Sequence, residues 1–340
     1  MTLLLITALI AVLLIYPVYS AHRKGEVDFS ELADAFGRAQ WAYLIPAFFF
    51  GMFVFVLKAW RWQVILAPVQ QVRYRSLLSA IMIGFMANCI VSRMGEIFRA
   101  VVLGTKREAS TTLALATIAL ERLFDLFTVA LFLVISLLWL RPSGSEYLAR
   151  TRLAGAVMAV LLVCLTLFLV LLRLQPKLTM RWVMVLAAWL PRRLRPHVER
   201  FMESFLKGLN AIQGPRHAAM LLLLSLAHWF SQVLYFYFVG LCFPGLGLTL
   251  AGAMLVFAVT AMGVGAVPLP GYLGIFQASV TAAAAIMALP AAETLSYSWL
   301  SWAANVPPII VIGFGFMWIE GLSVGALRRG ARAQAEAERV

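Results

Sequence analysis

Residues Asn88 to Arg99 read N-C-I-V-S-R-M-G-E-I-F-R, and the placement of this stretch decides the fold. It follows an apolar run that starts at Ser76 and carries Arg93, Glu96 and Arg99 close to membrane depth. A second charged group, Glu121, Arg122 and Asp125, lies inside the long apolar segment Thr111–Leu140. A charge there costs about 2.5–3.5 kcal/mol at the bilayer centre by insertion scales, so such residues usually pair with one another or line a polar path. A third feature is V-P-L-P-G-Y-L-G-I-F-Q, Val267 to Gln277, whose two prolines and two glycines interrupt any regular helix. Together the three features predict one polar site within a bilayer.

The composition around them agrees. Of 340 residues, 63% are hydrophobic and 13% charged, and the mean hydropathy is +0.90. Soluble domains do not have this balance; an all-α polytopic membrane protein does. The net charge is +13, but the basic residues lie between apolar runs. That pattern fits cytoplasmic loops facing anionic lipid and argues against nucleic acid as a partner. Cys89, Cys164 and Cys242 fall in apolar segments without metal or redox spacing and read as small buried hydrophobes. Thr2–Tyr19 lacks a basic leader and a small-residue cleavage site, so it reads as a retained helix.

A spanning helix needs about 20 mostly apolar residues. Full spans are expected at Thr2–Tyr19, Trp41–Leu57, Thr111–Leu140, Leu153–Leu174, Ala218–Phe243 and Tyr297–Ile319, about six in all. Ser30 is expected to cap a short helix with Leu32 and Phe36 on one face. Lys58, Trp60, Arg61 and Trp62 read as an interfacial anchor closing the second span. Two helical hairpins complete the plan, Ser76–Leu103 and Leu248–Leu289, each either re-entrant or fully spanning. The segment 175–217 is rich in Arg and Lys, and Val198, Phe201, Met202, Phe205, Leu209 and Ile212 recur at helical spacing. It reads either as a cytoplasmic amphipathic helix on the membrane surface or as a solvated loop helix packed on the protein. A basic tail with Arg328, Arg329 and Arg332 closes the chain at 320–340.

The distribution of Lys and Arg puts 175–217, the tail and both termini on the cytoplasmic side, with Arg141–Arg152 a mild exception. The region 218–319 must then cross an even number of times, which two spans and a hairpin satisfy. Hairpins entering from opposite faces suggest a single membrane domain of two inverted halves, 2–174 and 218–319.

Each polar feature has two readings. On a helix, Glu96 lies three residues from both Arg93 and Arg99, giving a net positive face suited to phosphate. The same residues would also suit an interfacial loop with arginines reaching water. Glu121 and Asp125 share a face with Arg122 beside them. They form either a structural ion pair with Arg93 or Arg99, or a proton- or headgroup-coupled site. The Pro268–Gly274 break either lines a cavity and offers free N–H groups to an anion, or is a surface loop. His228, Gln232 and Asn305 read as helix–helix hydrogen bonds.

Asn88 with S-R-M-G-E-I-F-R (Ser92–Arg99), E-R-L-F-D-L (Glu121–Leu126) and P-L-P-G-Y-L-G-I-F-Q (Pro268–Gln277) resembles the lysylphosphatidylglycerol synthase transmembrane-region family, also called the flippase-like domain family. The resemblance covers nearly the whole chain. It is similar to the membrane half of the multiple peptide resistance factor, and to stand-alone members linked to hopanoid or glycolipid pathways. It implies an inner-membrane lipid translocase. The soluble aminoacyl-transferring domain has no counterpart here, and many members carry Glu and Gly where this chain has Gln277 and Tyr272.

The expected function is therefore movement of a polar or phosphate-bearing lipid across the cytoplasmic membrane, without covalent chemistry, cofactor or metal. Arg93, Arg99 and Arg122 would hold the headgroup, while Glu96, Glu121 and Asp125 balance charge or carry a proton. Asn88 and the Pro270, Gly271, Gly274 and Gln277 break would complete the site. The alternatives are an intramembrane lipid-linked glycosyl or aminoacyl transferase, for which H-E-x-x-H, P-loop and G-x-S-x-G signatures are all absent, and a non-transporting scaffold for a lipid-synthesis enzyme.

Overall fold

The computed structural model describes residues 29–91, 94–106, 111–140, 174–187, 214–267 and 269–322, with scattered positions between 153 and 171. Arg93, the Thr2–Tyr19 segment, the 198–212 amphipathic pattern and the basic residues of the tail lie outside them, and Leu153–Leu174 is only partly within them.

Every regular element among the described residues is helical. Helix α1 is Phe29–Gly37, α2 Leu44–Leu66, α3 Tyr74–Ile90, α4 Gly95–Thr105, α5 Thr111–Trp139 and α6 Pro176–Ala187. Then come α7 Gly214–Leu241, α8 Leu250–Ala266, α9 Ile275–Ile286 and α10 Ala291–Ile319. By length and apolar composition three segments can cross a membrane: Trp41–Leu66, Gly214–Leu241 and Ala291–Ile319. Helix α5 has 29 residues, also ample length, but carries three charges.

Two boundaries differ from expectation. Helix α1 begins at Phe29, so Ser30 lies inside its first turn instead of capping it. Helix α2 does not stop at Leu57; it continues to Leu66 and ends just before Pro68. The charges of Lys58 and Arg61 do not end it because they are met by carboxylates inside the protein.

Both hairpins form. Helices α4 and α9 have 11 and 12 residues. At about 1.5 Å per residue they are about 16–18 Å long, short of the ~30 Å hydrocarbon core. Local chemistry sets the other ends. Pro215 in the first turn suits the start of α7, and Thr249 caps α8 by accepting from the Gly252 N–H at 3.1 Å.

The packing is reciprocal. Helix α2 lies along α7; the first hairpin, through α3, packs on α10; the second, through α8, packs on α5. Each hairpin also contacts the long helix that follows it in the chain. One apolar core gathers α2, α3 and α4, and a second gathers α7, α8 and α9, with Tyr272 and Trp302 packed against both. The Arg61 end of α2, the last turn of α3 and the middle of α5 thus converge.

Candidate functional site

The α3–α4 crossing puts the first charged stretch in place. A Cβ on Gly84 would come 2.7 Å from the Gly95 carbonyl oxygen and would also strike the Arg99 side chain. Only glycine permits this approach, and it brings Arg99 under α3 toward α5. Asn88 Oδ1 accepts from the Gly95 N–H at 2.7 Å, satisfying one of the donors at the start of α4.

Helix α5 presents Glu121 and Asp125 on one face near its middle. Arg99 Nη2 donates to Glu121 Oε2 at 2.8 Å. The remaining cations come from α2. Lys58 Nζ contacts Glu121 Oε1 and lies 3.6 Å from Asp125 Oδ2. Arg61 Nη2 lies 3.1 Å from Glu121 Oε1 and 2.7 Å from Asp125 Oδ1. All five groups are enclosed: Lys58 is 1% exposed, Arg61 and Glu121 0%, Arg99 1% and Asp125 5%.

Neighbours from both halves close the network. Trp62 stacks on Arg99, whose guanidinium carbon is 4.2 Å from the ring centroid. Trp62 is itself fixed by donating from Nε1 to Thr117 Oγ1 at 3.0 Å. From α7, Trp229 Nε1 donates to Asp125 Oδ1 at 2.9 Å, and Ser225 Oγ accepts from Arg61 Nη1 at 3.0 Å. His228, on the same helix, is buried with its ring 4.3 Å from that of Trp229. Its Nδ1 finds no hydrogen-bond partner among the described residues, so the expected helix–helix bond is not made there.

Among the described residues the network has one open edge. Arg122 Nε lies 2.9 Å from Glu96 Oε1, and these side chains are 43% and 44% exposed. Arg122 Nη1 is 3.7 Å from Asp125 Oδ2, which links this rim to the interior. Leu126, one turn beyond Arg122 on the same face, is 69% exposed.

The structure thus brings together Glu96, Arg99, Glu121, Arg122 and Asp125, and adds Lys58 and Arg61, which the sequence reading assigned to an interfacial anchor. Arg61 and Trp62 are wholly buried, while Trp60 is 48% exposed and still suits an outer position. The i,i+3 spacing of Lys58 and Arg61 was a usable signal: they share a face of an apolar helix, as Glu121 and Asp125 do.

The Pro270–Gly274 break lies against the end of α3. Gly271 and Gly274 take φ of 61° and 80°, and Tyr272 also has positive φ at 58°. Most of its backbone donors are already engaged, which corrects the expectation of free N–H groups. The Tyr272 N–H donates to the Leu269 carbonyl at 3.1 Å, and the Gly274 N–H to Gln277 Oε1 at 2.9 Å. The Gly271 carbonyl accepts from Trp302 Nε1 at 2.7 Å. Gln277 is a helix cap with a buried amide, and its Nε2 lacks a partner among the described residues. A surface cavity of about 600 Å³, lined by Gln63, Val64, Ala67, Gln71, Val72 and Arg73, opens beyond the network at the end of α2.

Searches of curated proteins and of solved structures returned no match. The family model described as lysylphosphatidylglycerol synthase TM region matches residues 3–313. All three charged or broken motifs fall within that match, and with it a membrane-embedded helical fold tied to lipid. The chain belongs to the lysylphosphatidylglycerol synthase TM region family.

Proposed function

We propose that this protein moves a polar, phosphate-bearing lipid headgroup across the cytoplasmic membrane. The observation that carries the proposal is an ion network rich in cations, buried midway along α5, whose exposed edge among the described residues is the Arg122–Glu96 pair. A headgroup drawn to Arg122 exchanges its water for guanidinium donors while its acyl chains stay in the bilayer. Arg99, Arg61 and Lys58 lie behind the rim to receive the negative charge. The two hairpins would act as inverted halves about this site, as their reciprocal packing on α5 and α10 suggests.

No covalent step is assigned. Glu121 and Asp125 are held by cations, which makes them poor general bases. A lipid-synthesis enzyme would be the natural partner, delivering its product to the rim.

The test is lipid exchange in proteoliposomes. Wild type would be compared with Arg122→Gln and Arg99→Gln, each checked for folding and insertion. Headgroup movement by the wild type and its loss in both variants is expected. Undiminished movement in the folded variants would remove this site from the function.

A further inference from the structure

We infer that α10 is hinged at Pro307–Pro308, so that the first hairpin and the C-terminal part of α10 swing as one arm against α7, α9 and the N-terminal part of α10. The inference concerns how the fold moves and does not rest on the headgroup reading.

It begins with covalent chemistry. Helix α10 runs from Ala291 to Ile319 with Pro307 and Pro308 inside it. A proline has no N–H, and its ring presses on the carbonyl four residues back. The Ala303 and Ala304 carbonyls therefore lose their helical donors. Ala304 loses more, because the tighter bond from three residues on would need an N–H on Pro307. Elsewhere along α10 a bend must break backbone hydrogen bonds, but at the prolines they are already missing. Sharp bends in long helices fall at such places.

The second observation is what each side of the prolines holds. On the N-terminal side Tyr297, Leu300 and Ala304 pack in the core of α7, α8 and α9. Tyr297 Oη donates to the Phe236 carbonyl at 3.0 Å, and Tyr235 Oη donates to the Ser301 carbonyl. From Val306 onward the partners change: Val306, Ile309 and Met317 pack in the core of α2, α3 and α4. A Cβ on Gly313 would strike the Met86 side chain and come 2.9 Å from the Met82 carbonyl oxygen, so α10 lies hard against α3 there. Lys106, just past the end of α4, reaches Glu320 at 2.6 Å. One continuous helix is thus shared between two cores, and its backbone bonding is weakest where it passes from one to the other.

The hinge acts on a particular seam. Trp302, before the prolines, holds the Pro270–Gly274 turn through the Gly271 carbonyl. That turn lies against the end of α3, and α3 is held by the part of α10 beyond the prolines. A bend at Pro307–Pro308 therefore moves the end of α3 against the turn.

The test is pulsed electron-spin distance measurement on the full chain in lipid nanodiscs, with Cys89, Cys164 and Cys242 replaced by alanine. Spin labels are carried by Leu223→Cys on α7 and Trp318→Cys near the end of α10, both at strongly exposed positions. A control pair, Leu223→Cys and Ile286→Cys, lies wholly on the α7–α9 side. With both prolines present, the first pair should give two distances and the control one. Pro307→Ala with Pro308→Ala supplies the missing N–H groups in the best helix-forming residue. It should leave a single distance for the first pair and the control unchanged. A single distance with the prolines present, or the same two distances without them, would overturn the hinge. Two distances in the control pair would overturn it as well, since the motion would then lie elsewhere. Lipid exchange in vesicles is a separate readout. Loss of the second distance in the alanine variant, with no lipid exchanged by either protein, keeps the hinge and removes translocation.

Discussion

Helices α2–α5 and α7–α10 follow one plan, a long helix, a hairpin and a second long helix, and pack reciprocally. Their chemistry is nevertheless unequal. From Ala218 to Ile319 the only Asp, Glu, Lys or Arg is Glu293, whereas the first set supplies every charge in the network. The second set answers with neutral groups: Trp229 and Ser225 hydrogen bond to the network, and Trp302 holds the Pro270–Gly274 turn. One half therefore carries the charge and the other positions and encloses it. One ionised site is enough where both sets of helices wall the same space.

The comparison is broken most directly at Glu121. Glu121→Gln leaves Lys58, Arg61 and Arg99 short of a shared counter-charge inside the protein. Removing one partner of a buried ion pair costs about 3–5 kcal/mol. A large fall in the unfolding midpoint of the purified protein is expected, and unchanged stability would mean that the network does not hold α2, α4 and α5 together.

The second half's share is smaller and can be measured in the same way. Trp229→Phe keeps the packing and removes the hydrogen bond to Asp125, a charged acceptor, at a cost of about 1.5–3 kcal/mol. A loss as large as that of Glu121→Gln would contradict the division of labour. Gln277→Ala removes the acceptor at the start of α9 and should cost about 0.5–2 kcal/mol, the range for a lost cap. Because its role is to cap, lipid binding by the folded variant should change less than in Arg122→Gln.

The sequence carried the helical membrane class, both hairpins and the meeting of Arg99 with Glu121, because charges within apolar runs are too costly to leave unpaired. It was misleading where a charge pattern has two solutions. Lys58, Arg61 and Trp62 beside Trp60 look like a membrane-surface belt. Their i,i+3 spacing puts Lys58 and Arg61 on one face of an apolar helix, but only the partners on α5, some 60 residues away, show that this face turns inward. The Pro270–Gly274 break was legible as a break, but the use of its N–H groups was not. That depends on Gln277 folding back on Gly274, a choice among side-chain rotamers.

The smallest expected effect lies at the edge of the comparison, where the first hairpin meets the last helix of the second set. Lys106 Nζ lies 2.6 Å from Glu320 Oε1 and 3.4 Å from Ser76 Oγ, just beyond the apolar span that ends at Ile319. Partial burial favours the neutral form of Glu320, but the Lys106 hydrogen bond and charge outweigh it and hold this carboxyl below the usual glutamate range. A depressed carboxylate pKa adds stability that is present above the ordinary value and fades as pH falls through the folded-state value. Since both partners are one-fifth exposed, the pair is worth about 1 kcal/mol or less. Lys106→Ala should therefore lower stability slightly at neutral pH and not at all once Glu320 is protonated in both proteins. Unfolding midpoints of the two proteins measured down the acid range should converge, and a gap that stays constant with pH would show that Lys106 acts through packing instead of through Glu320.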